Sequence, residues 1–346
     1  MKSALHKIAV FVLFAGAGAG ILLWLYRKLS KSYALQCAEM GLTEDACSLW
    51  QKLWTDFASV DFFWLGMVLV AFMWSNVLRA WRWQMLVRPM GYRLRFWSAF
   101  YGIMLGYFAN LGLPRVGEIV RAGAVARMDQ LPIEVTLGTT VTDRILDVLM
   151  LVVFLLFGLW LEFDVLMQWL AYGFDALFGR IDGVTGLAAG SVLLAIALTR
   201  HQWKKWKLVQ TLLGRAKGFI RAMLSLRHVE QPVRFGVYTV GIWLMYFLMM
   251  WFCLYSYEPT RHLGPKEAFV TFDFGALGMI APFPGGMGSF HFMVMQALKH
   301  YGIDEISAFS YSMINFFSVQ IFCNVLFGLI ALAYFGWKQT KSLTES

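Results

Sequence analysis

Apolar residues run through this chain in long blocks. A transmembrane helix takes about 20 mostly apolar residues, and blocks near that length stand at 8 to 26, 60 to 78, 145 to 163, 184 to 199, 235 to 256 and 306 to 337. The fourth is short and the last is long enough to tilt strongly. Two further apolar regions are broken in the middle. One, 96 to 113, runs into Leu113-Pro114-Arg115-Val116-Gly117-Glu118, and the other, 268 to 300, is interrupted by Pro282-Phe283-Pro284-Gly285-Gly286-Met287-Gly288. Proline and clustered glycine end a helix, so neither reads as a plain span. The pattern predicts an all-α polytopic membrane protein with about six full transmembrane helices and two helical hairpins.

Lysine and arginine orient these elements. Arg79, Arg82, Arg88, Arg93 and Arg95 mark a loop from 79 to 95, and nine more basic residues lie in 200 to 234, so both stretches are expected in the cytoplasm. An even number of crossings must separate two loops on one side, yet three apolar candidates lie between them. The broken region at 96 to 113 is therefore expected to enter and return on one face. The arms of the second, 268 to 281 and 289 to 300, are too short to cross, at roughly 21 and 18 Å of helix against a hydrocarbon core of about 30 Å. Both termini then fall in the cytoplasm, with most of the basic residues, while 32 to 59 lies outside. Arg27, Lys28 and Lys31 stand outside against the rule.

The same order of two spans, a hairpin and a span occurs in 1 to 163 and in 184 to 337 with opposite orientation, which predicts an inverted-topology repeat within one membrane domain. Corresponding features are offset by roughly 165 to 176 residues. Residues 164 to 183 read as an outer interfacial connector, 201 to 229 as a basic amphipathic helix on the inner leaflet, and 338 to 346 as a cytoplasmic tail. Residues 8 to 26 follow Lys2 and Lys7 like a signal peptide, but no small-residue cleavage site follows, so they are expected to stay as the first helix.

Composition agrees. Of 346 residues 59% are hydrophobic and 15% charged, with a mean hydropathy of +0.60. The formal net charge of +9 sits between apolar blocks, where anionic lipids at the cytoplasmic face are the natural counter-charge and nucleic acid is not. Cys37 and Cys47 share a polar loop, as a disulfide or as two thiols. The six histidines show no metal-ligand spacing, and no cofactor is expected.

Three constellations carry candidate chemistry. Irregular backbone at membrane depth needs a protein-lined or wet cavity, which places Asn110, Pro114, Arg115, Gly117, Glu118 and Arg121 at one. Pro114 suits the start of a helix whose free N–H groups can meet an anion, and Glu118 and Arg121, three apart, can pair. Next come Asp143, Arg144 and Asp147, opening the following span, where either aspartate can hold Arg144 or reach Arg121. A structural clamp and a substrate contact both fit. The third is Pro284, Gly285, Gly286 and Gly288, followed by His291, with Asp273 in the preceding arm as a buried-charge candidate.

The motifs Asn110-Leu-Gly-Leu-Pro-Arg-Val-Gly-Glu118 with Arg121, Asp143-Arg144 with Asp147, and Pro284-Gly-Gly-Met-Gly288 resemble, in order, the transmembrane region of lysylphosphatidylglycerol synthases and the stand-alone flippase-like proteins related to it. The resemblance covers most of the chain. It implies a cell-membrane domain that translocates lipids, by analogy to aminoacylated phosphatidylglycerol, with Glu118 and Arg121 in its cavity. It implies no lipid synthesis, since the soluble aminoacyl-transferring domain has no counterpart here. His291 stands where the family often has an acid, which leaves headgroup preference and proton coupling open.

The function expected is a transporter moving an anionic or amphiphilic lipid between leaflets, with the lipid as its partner and homo-oligomerisation neither required nor barred. The competing classes are a transporter of another amphiphile, a membrane enzyme using Asp273, Ser289 and His291, and an envelope-complex scaffold. The topology is checked by single cysteines placed between 200 and 234, which should react only with membrane-permeant reagents. Labelling by impermeant reagents from outside would overturn both topology and repeat.

Overall fold

The computed structural model describes residues 2–39, 47–112, 116–163, 231–281 and 283–344. The chain divides into two compact units, Met1–Leu155 with Val233–Ser346, and Leu156–Pro232. In the second unit the described residues are chiefly the end of one helix, where Phe157 and Trp160 stack at 5.7 Å. The expected connector at 164 to 183, the short span at 184 to 199, nearly all of 200 to 234, and Pro114 and Arg115 lie outside the described residues.

The described residues are all-helical. Five helices are long and apolar enough to cross a membrane: Val12–Glu39, Phe62–Met90, Ile133–Leu161, Pro232–Ser256 and Glu305–Lys338. The first belongs to α1 (Lys2–Glu39), which outruns the 8 to 26 expected from hydropathy. No glycine or proline interrupts it after Tyr26, and Leu25, Leu29 and Cys37, at multiples of four, bury one stripe of its extension. Cys37 and Cys47 are both buried, and no disulfide bridges them as a loop pair. A short helix α2 (Leu49–Ala58) follows, burying Leu49, Leu53 and Asp56 and exposing Trp50 and Trp54.

Helix α3 (Phe62–Val87) starts at Asp61, whose carboxylate accepts from the Phe63 N–H at 3.0 Å as an N-cap. It corrects the loop expected from residue 79: Arg79 and Arg82 lie inside the helix and are buried. Helix α6 (Ile133–Leu161) and α7 (Pro232–Ser256) are the next long ones. Pairings of Trp64 with Tyr255, Gly241 with Leu78 and Trp81 with Tyr238 run in opposite residue order, so α3 and α7 are antiparallel. The last block is α10 (Glu305–Asn315), a π-helical segment Phe316–Cys323 and α11 (Asn324–Thr344).

Each broken region forms a pair of antiparallel helices. In the first, α4 (Phe96–Gly112) returns as α5 (Gly117–Asp129). A Cβ on Gly106 would lie 2.9 Å from the Gly117 carbonyl, so the backbones touch where glycine allows it. The open end is tied by Asp129, which accepts from the Arg95 N–H at 2.7 Å and from Ser98 at 2.7 Å. In the second pair, α8 (Pro265–Ile280) turns through Pro284–Gly286 into α9 (Ser289–His300). Gly285, Gly286 and Gly288 have φ of 60°, 73° and 83°, which side chains rarely adopt. This tip packs on α4 and on α1, where Gly18 lies under Met287 and Phe283.

The close backbone approach at α8 and α9 gives a stability test. A Cβ on Gly278 would stand 2.7 Å from the Phe290 Cα, whereas one on Gly138 meets nothing within 4 Å. Gly278→Ala should therefore destabilise by about 1–3 kcal/mol, while Gly138→Ala should be neutral or gain up to about 1 kcal/mol from helix propensity. Thermal unfolding of the purified variants in detergent checks both; equal melting temperatures would contradict the packing.

Candidate functional site

Three helices carry charge to one place inside the bundle. Helical spacing puts Arg79, Arg82 and Trp83 on one face of α3, and Thr139, Asp143 and Asp147 on one face of α6. Asp143, fully buried, accepts from Arg79 Nη1 at 2.8 Å, from Arg82 Nη2 at 2.5 Å and Nε at 3.0 Å, and from Arg121 Nη2 of α5 at 3.0 Å. Asp147 accepts from Arg79 Nη1 at 2.8 Å and Arg82 Nη2 at 2.7 Å. The Tyr246 hydroxyl of α7 accepts from Arg79 Nη2 at 2.8 Å. Trp83 donates to Thr139 at 2.9 Å, and its ring lies 4.7 Å beneath the Arg121 guanidinium, which suits a cation.

A second layer sits nearer the surface. Arg144 pairs with Glu118 at 2.7 Å and with Asp147 at 3.5 Å, its side chain 37% exposed. This corrects the pairing expected from spacing on α5. Glu118 holds Arg144 and Arg121 holds Asp143, because α6 offers each a partner of opposite charge across the helix interface.

The arrangement is not electrically closed. Four guanidiniums meet three carboxylates, leaving one net positive charge where charge is expensive to bury. Arg79 Nε, Arg82 Nη1 and Arg121 Nη1 are buried and have no hydrogen-bond partner. Buried donors of this kind are rare and ask for an acceptor. Chemically, the site suits a compact anion with several acceptor oxygens, such as a phosphate or carboxylate.

The remaining candidates lie elsewhere. Asn110 accepts the Gly117 N–H at 2.8 Å, satisfying a first-turn donor of α5 and fixing the tip of that pair. Pro284, Gly285, Gly286 and Gly288 form the other tip. His291, fully buried, accepts the Gly288 N–H on Nδ1 at 3.3 Å and packs its ring on Phe316 at 4.7 Å. Asp273 is buried in α8. Among the described residues none of these bonds to the arginines, so the structure brings together Glu118, Arg121, Asp143, Arg144 and Asp147 and leaves helix pair α8–α9 apart from them.

Sequence reasoning missed Arg79, Arg82, Trp83 and Tyr246. The available signal was the pattern at 79, 82, 83 and 86, one helical face carried past the apolar block by Trp83, Leu86 and Val87. Arginines following an apolar run read as a flanking loop when length alone sets the boundary.

Comparison with known proteins places these residues in context. The family described as the lysylphosphatidylglycerol synthase TM region matches residues 48–328, which contain all of the cluster. A UPF0104 membrane protein of Methanocaldococcus jannaschii is 28% identical over 85 residues, 24% of this chain. The match spans about a quarter, 25%, of that relative. No solved structure matches.

Removing the shared acceptor should be the costliest single change at the site. Asp143→Asn leaves three buried guanidiniums short of an anion, a loss of about 3–5 kcal/mol. Glu118→Gln, at the half-exposed Arg144, should cost about 1 kcal/mol or less. Thermal or chemical unfolding in detergent ranks the two, and similar losses would show that the buried cluster does not hold the bundle.

Proposed function

Because the chain belongs to the lysylphosphatidylglycerol synthase transmembrane-region family, we propose that it moves an anionic lipid between the leaflets of a cell membrane, with the headgroup held at the arginine cluster. One observation carries the proposal: a buried site with one positive charge in excess and three donor groups without acceptors. A lipid phosphate supplies both the missing charge and the missing oxygens. The acyl chains stay in the bilayer.

In this reading both helix pairs are re-entrant. Their arms of 17, 13, 16 and 12 residues measure roughly 26, 20, 24 and 18 Å, short of a core of about 30 Å. The Arg95–Asp129 tie closes the base of the first pair, as expected if both its ends leave on one face.

The reading also takes the halves as inverted repeats, supported by the antiparallel run of α3 and α7 and by matched contacts. Arg82 bonds Asp143 and Asp147, 61 and 65 residues on. Met250 bonds Tyr311 and Asn315, also 61 and 65 residues on. All three members of the second set lie 168 residues after those of the first. Hairpin contacts correspond too, Gly102 meeting Val125 as Gly275 meets Val294.

We take the chain to work without covalent chemistry. The Ser289 hydroxyl donates to the carbonyls of Gly278 at 2.6 Å and Gly286 at 3.1 Å, which commits it to hairpin packing and not to nucleophilic attack.

A leaflet-resolved assay with purified protein in phosphatidylglycerol-containing vesicles tests the function. Arg121→Met should fold, since Asp143 keeps Arg79 and Arg82 and the cluster becomes neutral. Losing a charge-assisted contact worth about 1.5–3 kcal/mol should slow transport roughly tenfold to a hundredfold. Arg127→Ala, exposed at the far end of α5, should leave the rate unchanged. A well-folded Arg121→Met protein with normal activity would exclude the cluster as the headgroup site.

A further inference from the structure

Hairpin α8–α9 holds a buried acid of a different kind from the rest. Among the described residues, the other buried carboxylates have cations or donors within reach. Asp143 and Asp147 have the arginines, Asp129 has Arg95 and Ser98, and Asp56 has Lys52 at 2.5 Å and Ser310 at 2.6 Å. Asp273 is 5% exposed and its Oδ1 has no hydrogen-bond partner. A bare carboxylate in such surroundings is costly enough that it takes up a proton instead.

The groups around it are few. Helix α9, facing α8, brings His291, with Lys299 and His300 exposed at its far end. Helix α7 packs through Met250 and Phe247 and brings Tyr246, bound to Arg79, and the buried thiol of Cys253. Helix α6 packs through Phe154 and brings Asp143, Arg144 and Asp147, all engaged in the arginine cluster. Lys266 and Glu267 stand in the first turn of α8 itself. The tip Pro284–Gly286 brings no ionisable group. His291 is the buried ionisable group of α9. Its Nδ1 is used as an acceptor, so the neutral ring carries its proton on Nε2, which is buried without a partner. Each arm therefore holds one buried polar atom without a partner, an acceptor on α8 and a donor on α9. Gly275 and Gly278 are the positions of α8 that meet α9, so Asp273, two residues from Gly275, lies on another face of the helix, the one it shares with Phe269.

We infer that Asp273 is a proton-binding site in hairpin α8–α9, loaded when that hairpin is packed as seen and unloaded when it opens to water. The proton leaves the carboxyl for water and returns from water. Glycines at the tip and at the α8–α9 contact allow the hairpin to shift as a unit. Lipid movement is then coupled to a proton gradient. That coupling rests on the transport reading; the proton site does not.

The test separates the two. The full-length protein in detergent at neutral pH should show the infrared C=O band of a protonated carboxyl, and Asp273→Asn should lose it. Asparagine mimics the neutral acid, so this variant should keep the wild-type melting temperature; Asp273→Glu should keep the band, shifted. An unchanged spectrum in Asp273→Asn overturns the site. In phosphatidylglycerol-containing vesicles, an imposed gradient should shift the wild-type lipid distribution by up to about tenfold per pH unit, and the Asp273→Asn distribution not at all. Wild-type movement indifferent to the gradient overturns the coupling and leaves the transport reading standing. No movement at all, with the band present, sinks the transport reading and the coupling while supporting the proton site.

Discussion

The bundle depends on one carboxylate. Asp143 accepts from arginines on two other helices, so α3, α5 and α6 cannot separate without exposing uncompensated charge in an apolar interior. Tyr246 extends the link to α7 through Arg79. Among apolar helices in lipid, side-chain packing alone gives weak preference for one register, since the solvent is as apolar as the partner. A charge network whose buried carboxylates meet their arginines only in one arrangement supplies that preference. It also sets where α5 lies, because Arg121 reaches Asp143 only if the α4–α5 pair folds back beside α6.

Fold-back in turn depends on absent side chains. Gly106 and Gly117 bring α4 and α5 to backbone contact, and Gly278 does the same for α8 and α9. Four short arms are thereby held as two compact pairs whose interior ends need few partners of their own. Asn110 and Ser289 supply those partners, one accepting from a helix N–H and the other donating to carbonyls of the tip. Gly18 of α1 and Gly288 of the tip extend the same device between helices, letting the second pair seat against the first helix.

Much of this was legible in the sequence, and the failures share a cause. Proline and glycine at 113 to 118 and 282 to 288 marked the breaks between the paired short helices, and hydropathy found all five long helices that the structure describes. An aspartate at 143 or 147 was expected to reach Arg121 or to hold Arg144, and the structure has both contacts, but the expected pair of Glu118 with Arg121 is not formed. Spacing along one helix suggested Glu118 with Arg121, whereas the decisive partners come from α6, and a three-residue rule has no knowledge of a neighbouring helix. Arg79 and Arg82 were assigned to a loop for the opposite reason. Arginine is rare inside a membrane, so the prior favours a flank, and only the burial of both residues against Asp143 and Asp147 overrides it. Likewise Cys37 belongs to a helix because Leu25 and Leu29 continue its buried stripe, a tertiary effect that a hydropathy window averages away.

On the proposed repeat, the difference between the halves is informative. Where α3 offers Arg82 to Asp143 and Asp147, α7 offers Met250 to Tyr311 and Asn315. The geometry is kept and the charge is gone. A neutral clasp of thioether, phenol and amide has no large desolvation cost to recover when it opens, whereas the charged clasp can open only at great expense. The first half therefore suits a fixed anchor and the second a moving part. Glycines with positive φ at the α8–α9 tip and the π-helical segment at Phe316–Cys323, a common feature of functional helices, fall on the same side of that division. On the proposed transport, an anion bound at the arginines would meet α3, α5 and α6, the helices joined by the charged clasp. On the proposed repeat the two clasps stand 168 residues apart on matching helices, one charged and one neutral.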